Sequence, residues 1–228
     1  MEFMLDTVNI EEIKQYQKII SLRGVTSNPS IIKQSGKMNF FERMREIREI
    51  IGYNSSLHVQ LVATDYDGML KDAETLLNQI DTDLFIKVPV NEVGLKVMNE
   101  LREWPCHITA TAIYTKFQAY LAIANHVDYV APYFNRMENL AIDPQETIRQ
   151  IANIIEQTGS KTKILAASFK NVSQVTTALE NGAHAVTINT NIIQQVLEMP
   201  VIEKAIQNFL EDWIAVFGDK QTIAALNG

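Results

Sequence analysis

In Leu84-Phe85-Ile86-Lys87-Val88-Pro89-Val90 an apolar run is broken by one lysine near its carboxyl end. A short run of aliphatic and β-branched residues reads as a strand of a parallel sheet, covered on both faces. The same arrangement, apolar until the carboxyl end and then polar or ionisable, recurs along the chain. It delivers Asp6, Thr26 with Asn28, Gln60, Thr109 with Thr111, Tyr133 with Arg136, Ser168, and Thr187 with Asn189. The strands so predicted are Phe3–Leu5, Gly24–Ser27, Leu57–Leu61, Leu84–Val88, Ile108–Ala112, Tyr129–Tyr133, Ile164–Ala167 and Ala185–Ile188. Helical periodicity fills the intervals at Ile10–Ile20, Phe40–Ile51, Gly68–Ile80, Gly94–Glu103, Lys116–Asn125, Gln145–Thr158, Val172–Glu180 and Asn191–Leu197. In Gln145–Thr158, for example, Ile148, Ile151, Ile154 and Ile155 form one stripe, Asp143-Pro144 opens the helix and Gly159 closes it.

Eight strand-helix units in 228 residues come to about 28 residues each, near the ~250-residue total of a (β/α)8 barrel. An open doubly wound sheet has the same alternation but gathers only the strand ends at its switch point. A closed barrel gathers all of them on one rim, which is where such a repeated polar pattern has a use. The sequence therefore predicts an α/β fold, a (β/α)8 TIM barrel forming one domain over residues 1–228. An extra C-terminal helix is expected at Val201–Phe217, with an apolar face of Val201, Ile202, Ala205, Phe209, Trp213 and Phe217. That helix either closes the barrel bottom or packs on a neighbouring subunit.

Composition narrows the function classes. The 9 glycines and 6 prolines are about half the usual share, which disfavours a turn-dense β-sandwich and long linkers. A net charge of -7 disfavours a nucleic-acid or membrane-surface binder, and no segment approaches the ~20 apolar residues of a membrane span. One cysteine, Cys106, forbids an intrachain disulfide or cysteine zinc cluster, and the 4 histidines lack metal-ligand spacing. Cys106 reads as a small buried hydrophobe. The acidic, quickly polar amino terminus lacks a signal-peptide pattern, so a reducing cytoplasm is the expected address.

Among the rim residues Lys87 stands out. Enclosing an ammonium costs several kcal/mol unless it finds a partner or loses its proton. In one reading Lys87 is salt-bridged at a strand end. In the other its pKa is depressed and the neutral amine condenses with a ketone to form a Schiff base. Asp6 is its natural partner, or else the N-cap of the next helix. Asn28 before Pro29 also suits a turn. Arg136, Ser168 and Lys170 offer charge and hydroxyl donors suited to a phosphate, or to surface ion pairs. The charged segment Glu42–Glu49 reads as a solvated helix face.

Leu5-Asp6-Thr7, Gly24-Val25-Thr26-Ser27-Asn28-Pro29-Ser30, Ile86-Lys87-Val88-Pro89-Val90, Ala131-Pro132-Tyr133-Phe134-Asn135-Arg136 and Ala166-Ala167-Ser168-Phe169-Lys170 resemble the transaldolase family, in order and over essentially the whole chain. Within it the chain looks most like the fructose-6-phosphate aldolase branch. The resemblance implies a barrel with Lys87 as the strand-four Schiff-base lysine and Asp6 as its carboxylate. Gln60 and Tyr133 stand where transaldolases carry glutamate and usually phenylalanine. Acid/base work would then fall to Tyr133, through a water held by Gln60 and Thr111. Thr26, Asn28, Thr109, Arg136, Ser168 and Lys170 would bind substrate. Ser27, Thr109 and Asn189 depart from the family pattern. The implied activity is a class I aldolase using no metal and no organic cofactor, joining dihydroxyacetone and glyceraldehyde 3-phosphate into a ketose phosphate such as fructose 6-phosphate. Transaldolase, which transfers the same three-carbon unit between sugar phosphates, is the alternative, and a non-catalytic sugar-phosphate-binding barrel the alternative of another class. The implied assembly is a homo-oligomer, a pentamer or decamer.

Overall fold

The computed structural model describes residues 1–227. Its strands are β1 (Glu2–Asp6), β2 (Leu22–Thr26), β3 (Ser56–Gln60), β4 (Leu84–Pro89), β5 (His107–Ile113), β6 (Tyr129–Pro132), β7 (Lys163–Ala166) and β8 (Ala185–Ile188). They form a closed barrel in chain order, every neighbouring pair parallel, with β1 joined to β8. The helices are α1 (Ile10–Tyr16), α2 (Pro29–Ser35), α3 (Phe40–Ile51), α4 (Tyr66–Gln79), α5 (Glu92–Leu101), α6 (Lys116–Ala124), α7 (Phe134–Asn139), α8 (Pro144–Thr158), α9 (Val172–Glu180), α10 (Thr190–Leu197) and α11 (Pro200–Phe217). The expected (β/α)8 architecture is the one found, and no helix among the described residues is long and apolar enough to cross a membrane.

Residues 1–190 form one compact unit, which holds the whole barrel, and the residues from 191 onward form a second. Inside the barrel unit, Met4, Tyr129, Leu165 and Ala185 make a buried floor against which Phe85 packs. Tyr129, Ala185 and Phe85 stand at or next to the amino-terminal ends of their strands, Met4 at the middle of β1 and Leu165 third in β7, so the apolar layer lies below the polar strand ends. In the second unit, Trp213 packs on Phe217 at 4.4 Å and donates from Nε1 to the Gln221 carbonyl at 2.7 Å.

Local signals explain most helix boundaries. Asp143 accepts from the backbone N–H of Gln145 and Glu146, Pro144 occupies the first turn of α8, and Gly159 ends it in the left-handed region at φ 64°. Gly94 has a packing reason: a Cβ there would stand 1.8 Å from the Pro89 carbonyl oxygen. Its absence lets the start of α5 close onto the end of β4, two residues past Lys87.

Two helices lie outside the sequence expectation. α2 follows β2 directly, because Asn28 caps it and Pro29 sits at its first position; the Asn-Pro pair that suits a turn opens a helix here. α7 has no side-chain cap hydrogen bond at all, so nothing in the sequence marked its start.

The expectation for Glu42–Glu49 fails at Arg48, which is only 4% exposed. Its Nε lies 2.9 Å from Asp81 Oδ2, and its guanidinium donates to the carbonyls of Gly52, Ser55 and Asp83. Four partners for one side chain tie the end of α3 to the entries of β3 and β4. Arg43 likewise donates to the Val8 carbonyl at 2.9 Å. Arg48→Ala should therefore cost about 3–5 kcal/mol of unfolding free energy, because it strands the buried Asp81 carboxylate and three carbonyls. Chemical denaturation measures this, and a loss below about 1 kcal/mol, the scale of a surface pair, would show that the cluster does not hold the fold.

Candidate active site

The carboxyl ends of the strands bring the anticipated side chains together in steps. Asp6 ends β1. Its Oδ1 accepts the Thr26 hydroxyl at 2.8 Å, and Thr26 Oγ1 lies 2.6 Å from Thr187 Oγ1 on β8. Thr26 has one hydrogen, already given to Asp6, so Thr187 must be the donor in the second bond. Three strands thus fix one carboxylate. Asp6 is not a helix cap: α1 is capped by Asn9, which accepts from Glu11 and Glu12.

Lys87 is 5% exposed, and its Nζ donates to the Ser27 carbonyl at 2.8 Å. The partner is a neutral carbonyl rather than a carboxylate, so the strand-end salt bridge is not what holds it. Burial pushes the lysine pKa down, against a smaller upward pull from the Asp6 charge. Burial also pushes the Asp6 carboxyl up, against the Lys87 charge, the Thr26 bond and Arg136. Enclosure therefore favours an amine that sheds its proton beside a carboxyl able to take one.

Tyr133 reaches the same region from the end of β6. Its hydroxyl lies 2.8 Å from Thr111 Oγ1. Thr111 is aimed by an irregularity in β5, where the register to β6 shifts between Ala110 and Ile113 and Ala112 takes φ 56°. Burial raises the Tyr133 pKa, so the phenol stays protonated. The Arg136 guanidinium sits 4.8 Å from the centre of the Tyr133 ring and donates to the Tyr114 hydroxyl at 3.2 Å. Ser168, the other non-glycine residue in the left-handed region at this rim, has φ 64°.

A cleft of about 130 Å³ joins these groups. Of the residues anticipated from sequence, Asp6, Asn28, Lys87, Tyr133, Arg136, Ser168 and Lys170 line it. Asn28 uses Oδ1 to cap α2, which leaves its amide hydrogens for a ligand. Thr26, Thr109 and Thr111 are fully buried, with their hydroxyls on Asp6, His58 and Tyr133 respectively. Gln60 does not line the cleft; its Oε1 is buried without a hydrogen-bond partner among the described residues.

Sequence reasoning assigned no role to Ser30, Gln34, Thr187 or Asn189, which also line the cleft. Ser30 and Gln34 ride on α2, the helix that periodicity did not show. Thr187 and Asn189 belonged to the strand-end pattern and were found by it, without a partner to define their use. Larger hollows exist elsewhere, one of about 580 Å³ beside α6 and α8, but they lack a convergent set of amine, carboxyl and phenol. No group of three or more His, Cys, Asp or Glu side chains is placed to hold a metal ion among the described residues.

Comparison with known proteins agrees with this geometry. The family described as transaldolase/fructose-6-phosphate aldolase matches residues 3–225. A probable fructose-6-phosphate aldolase from Streptococcus pneumoniae is 52% identical over 216 residues, 95% of this chain and 97% of its own. Probable transaldolases from Geobacillus thermodenitrificans and Bacillus cereus are 34% and 33% identical over 213 residues, 93% of this chain in each case and 98% and 97% of theirs. A match over nearly the entire length, carried on a closed barrel whose rim presents the lysine, carboxyl and phenol together, identifies the chain as a member of the transaldolase/fructose-6-phosphate aldolase family.

Proposed function

We propose that this enzyme is a Schiff-base aldolase that makes and cleaves a ketose phosphate such as fructose 6-phosphate, with dihydroxyacetone as donor and glyceraldehyde 3-phosphate as acceptor. The observation that carries the reading is Lys87, an enclosed amine whose bonded partner is a carbonyl, opening on a cleft that also holds Asp6 and Tyr133. The 52% identical relative named a probable fructose-6-phosphate aldolase supports the branch.

In cleavage, the neutral Lys87 amine attacks the ketose C2 carbonyl, and the carbinolamine loses water to give an iminium. Asp6 takes the C4 hydroxyl proton as the C3–C4 bond breaks and its electron pair moves toward the iminium nitrogen, forming an enamine and freeing the aldehyde. The Tyr133 phenol then delivers a proton to C3, and water hydrolyses the resulting iminium to dihydroxyacetone and free Lys87. The phenolate recovers a proton from solvent, with the hydroxyl of Thr111 beside it, and the Asp6 carboxyl gives its proton up to solvent, which restores both groups. The unpartnered Gln60 Oε1 supports a role for Gln60 in orienting water. Arg136, Ser168 and Lys170 supply the donors for the acceptor phosphate, locally positive on a chain of net charge -7.

Transaldolase is the second reading, since relatives at 33–34% identity bear that name. It differs in the fate of the enamine. The Tyr133 phenol favours the aldolase, because it offers a proton that would let the three-carbon unit leave as a free ketone. A convergent amine, carboxyl and phenol also weigh against a barrel that only binds sugar phosphates.

The assembly reading is a ring-forming homo-oligomer, a pentamer or decamer. Its support is α11, none of whose residues is buried although Val201, Ile206, Phe209 and Val216 are 62–72% exposed.

Lys87→Arg keeps a cation and removes the nucleophile, so borohydride trapping with dihydroxyacetone should vanish; trapping that survives would move the imine to another residue. Tyr133→Phe should cut release of free dihydroxyacetone by about 10²-fold while imine formation at Lys87 persists. A wild-type enzyme that only transfers the unit to erythrose 4-phosphate, with negligible free ketone, would favour transaldolase instead. Light scattering at micromolar concentration should report a multiple of the 25.8 kDa chain, and a monomer would remove the assembly reading.

A further inference from the structure

Arg136 and the Ser168–Lys170 turn reach the cleft on two different loops, one after β6 and one after β7, and a single buried amide joins them. Gln174, on the first turn of α9, is 7% exposed and does not line the cleft. Its Oε1 accepts the Lys170 backbone N–H at 2.7 Å. Its Nε2 donates to Asn135 Oδ1 at 3.1 Å and to Glu138 Oε2, both on α7 and on either side of Arg136 in the chain. A carboxamide has two hydrogens to give and one oxygen to accept with, and here all three are engaged. Its orientation is settled by its neighbours, because a backbone N–H can only donate and a carboxylate can only accept.

The backbone begins the same join. The first two N–H groups of α7, those of Phe134 and Asn135, donate to the Ala167 and Ser168 carbonyls at 2.8 and 2.9 Å. The Phe134 and Phe169 rings meet at 5.8 Å. These contacts fix the roots of the two loops, and Gln174 extends the tie outward to Lys170 and Glu138. Arg136 and Lys170 are like charges on the wall of one cleft, so they repel before an anion arrives. A neutral tether between their loops holds them convergent.

We infer that Gln174 is a positioning residue that sets the spacing between Arg136 and the Ser168–Lys170 turn, and so controls affinity for phosphorylated acceptors without touching them. Donors that clamp a phosphate together lose strength when their separation drifts, whereas an acceptor without a phosphate makes no use of that separation. This rests on the reading that Arg136, Ser168 and Lys170 take the acceptor phosphate.

Steady-state kinetics with glyceraldehyde 3-phosphate and with free glyceraldehyde, each joined to dihydroxyacetone, test it. Gln174→Met keeps the side-chain length and removes all three bonds. It should lower the ratio of kcat/KM for the phosphorylated acceptor to that for the free one about fivefold to tenfold, with the loss in KM rather than in kcat. Competitive inhibition by inorganic phosphate should weaken by a similar factor. Should Gln174→Met not fold, Gln174→Asn, too short to span the loops, takes its place. Gln174→Glu should also lower the ratio, since its carboxylate faces Glu138. Adding Glu138→Gln exchanges donor and acceptor across that contact at constant net charge, and should return the ratio to within about twofold of wild type. Equal losses for both acceptors, a loss in kcat alone, no rescue by the exchange, or a loss confined to Gln174→Glu would each overturn the inference. Arg136→Ala separates it from the phosphate reading: a lowered ratio there with none in Gln174→Met overturns the inference alone. An unchanged ratio in Arg136→Ala, or a wild type that uses neither acceptor, overturns both.

Discussion

Lys87 is enclosed to 5% exposure on a strand that is otherwise apolar, with a hydrogen bond from Nζ to the Ser27 carbonyl at 2.8 Å. An ammonium in that position loses most of its hydration, and a neighbouring carbonyl returns only part of it. The amine is consequently the group around which the remaining polar side chains are ordered. Asp6 supplies charge without a direct ion pair holding the amine, and Thr26 and Thr187 keep the Asp6 carboxylate in place from two other strands. Had Asp6 closed onto the lysine, the pair would have been stable and the amine charged. A carboxyl held by hydroxyls leaves the lysine free to lose its proton.

The same economy governs the barrel interior. A closed parallel ladder satisfies the backbone, so interior side chains must satisfy one another or be apolar. The floor of Met4, Tyr129, Leu165 and Ala185 takes the second course. The polar groups beside and above it take the first, with Thr109, His58 and Ser56 bonded in sequence and Thr111 bonded to Tyr133. Gln60 Oε1 is the buried side-chain atom left without a hydrogen-bond partner among the described residues.

Backbone irregularities at the rim serve the same end. Ala112 and Ser168 both adopt positive φ, one turning β5 so that Thr111 meets Tyr133, the other bringing Ser168 into the cleft. Conformations of this kind cost of order 1–3 kcal/mol each and persist where surrounding contacts over-determine them. The Arg48 cluster, at the strand entries, lies at the opposite end of the strands from the Lys87 cleft.

Most of the architecture was legible in the order of residues, because period and composition are local properties. The strand Ala185–Ile188 and the helices Phe40–Ile51 and Val172–Glu180 have the bounds that the pattern predicted. The rim residues were legible too, since a polar side chain that ends a buried apolar strand must meet water, a partner or a ligand there. Partnership was not. Whether Asp6 would cap a helix or be held by Thr26, and whether Arg48 would face water or Asp81, depends on which strands become neighbours when the barrel closes. Thr26 and Thr187 lie at opposite ends of the barrel sequence and meet only because β1 pairs with both β2 and β8. His58 looked like part of a strand pattern until Thr109 and Ser56 were set at its two nitrogens. The identity of a side chain limits the bonds it can make, and the closure of the ladder decides which of them are made.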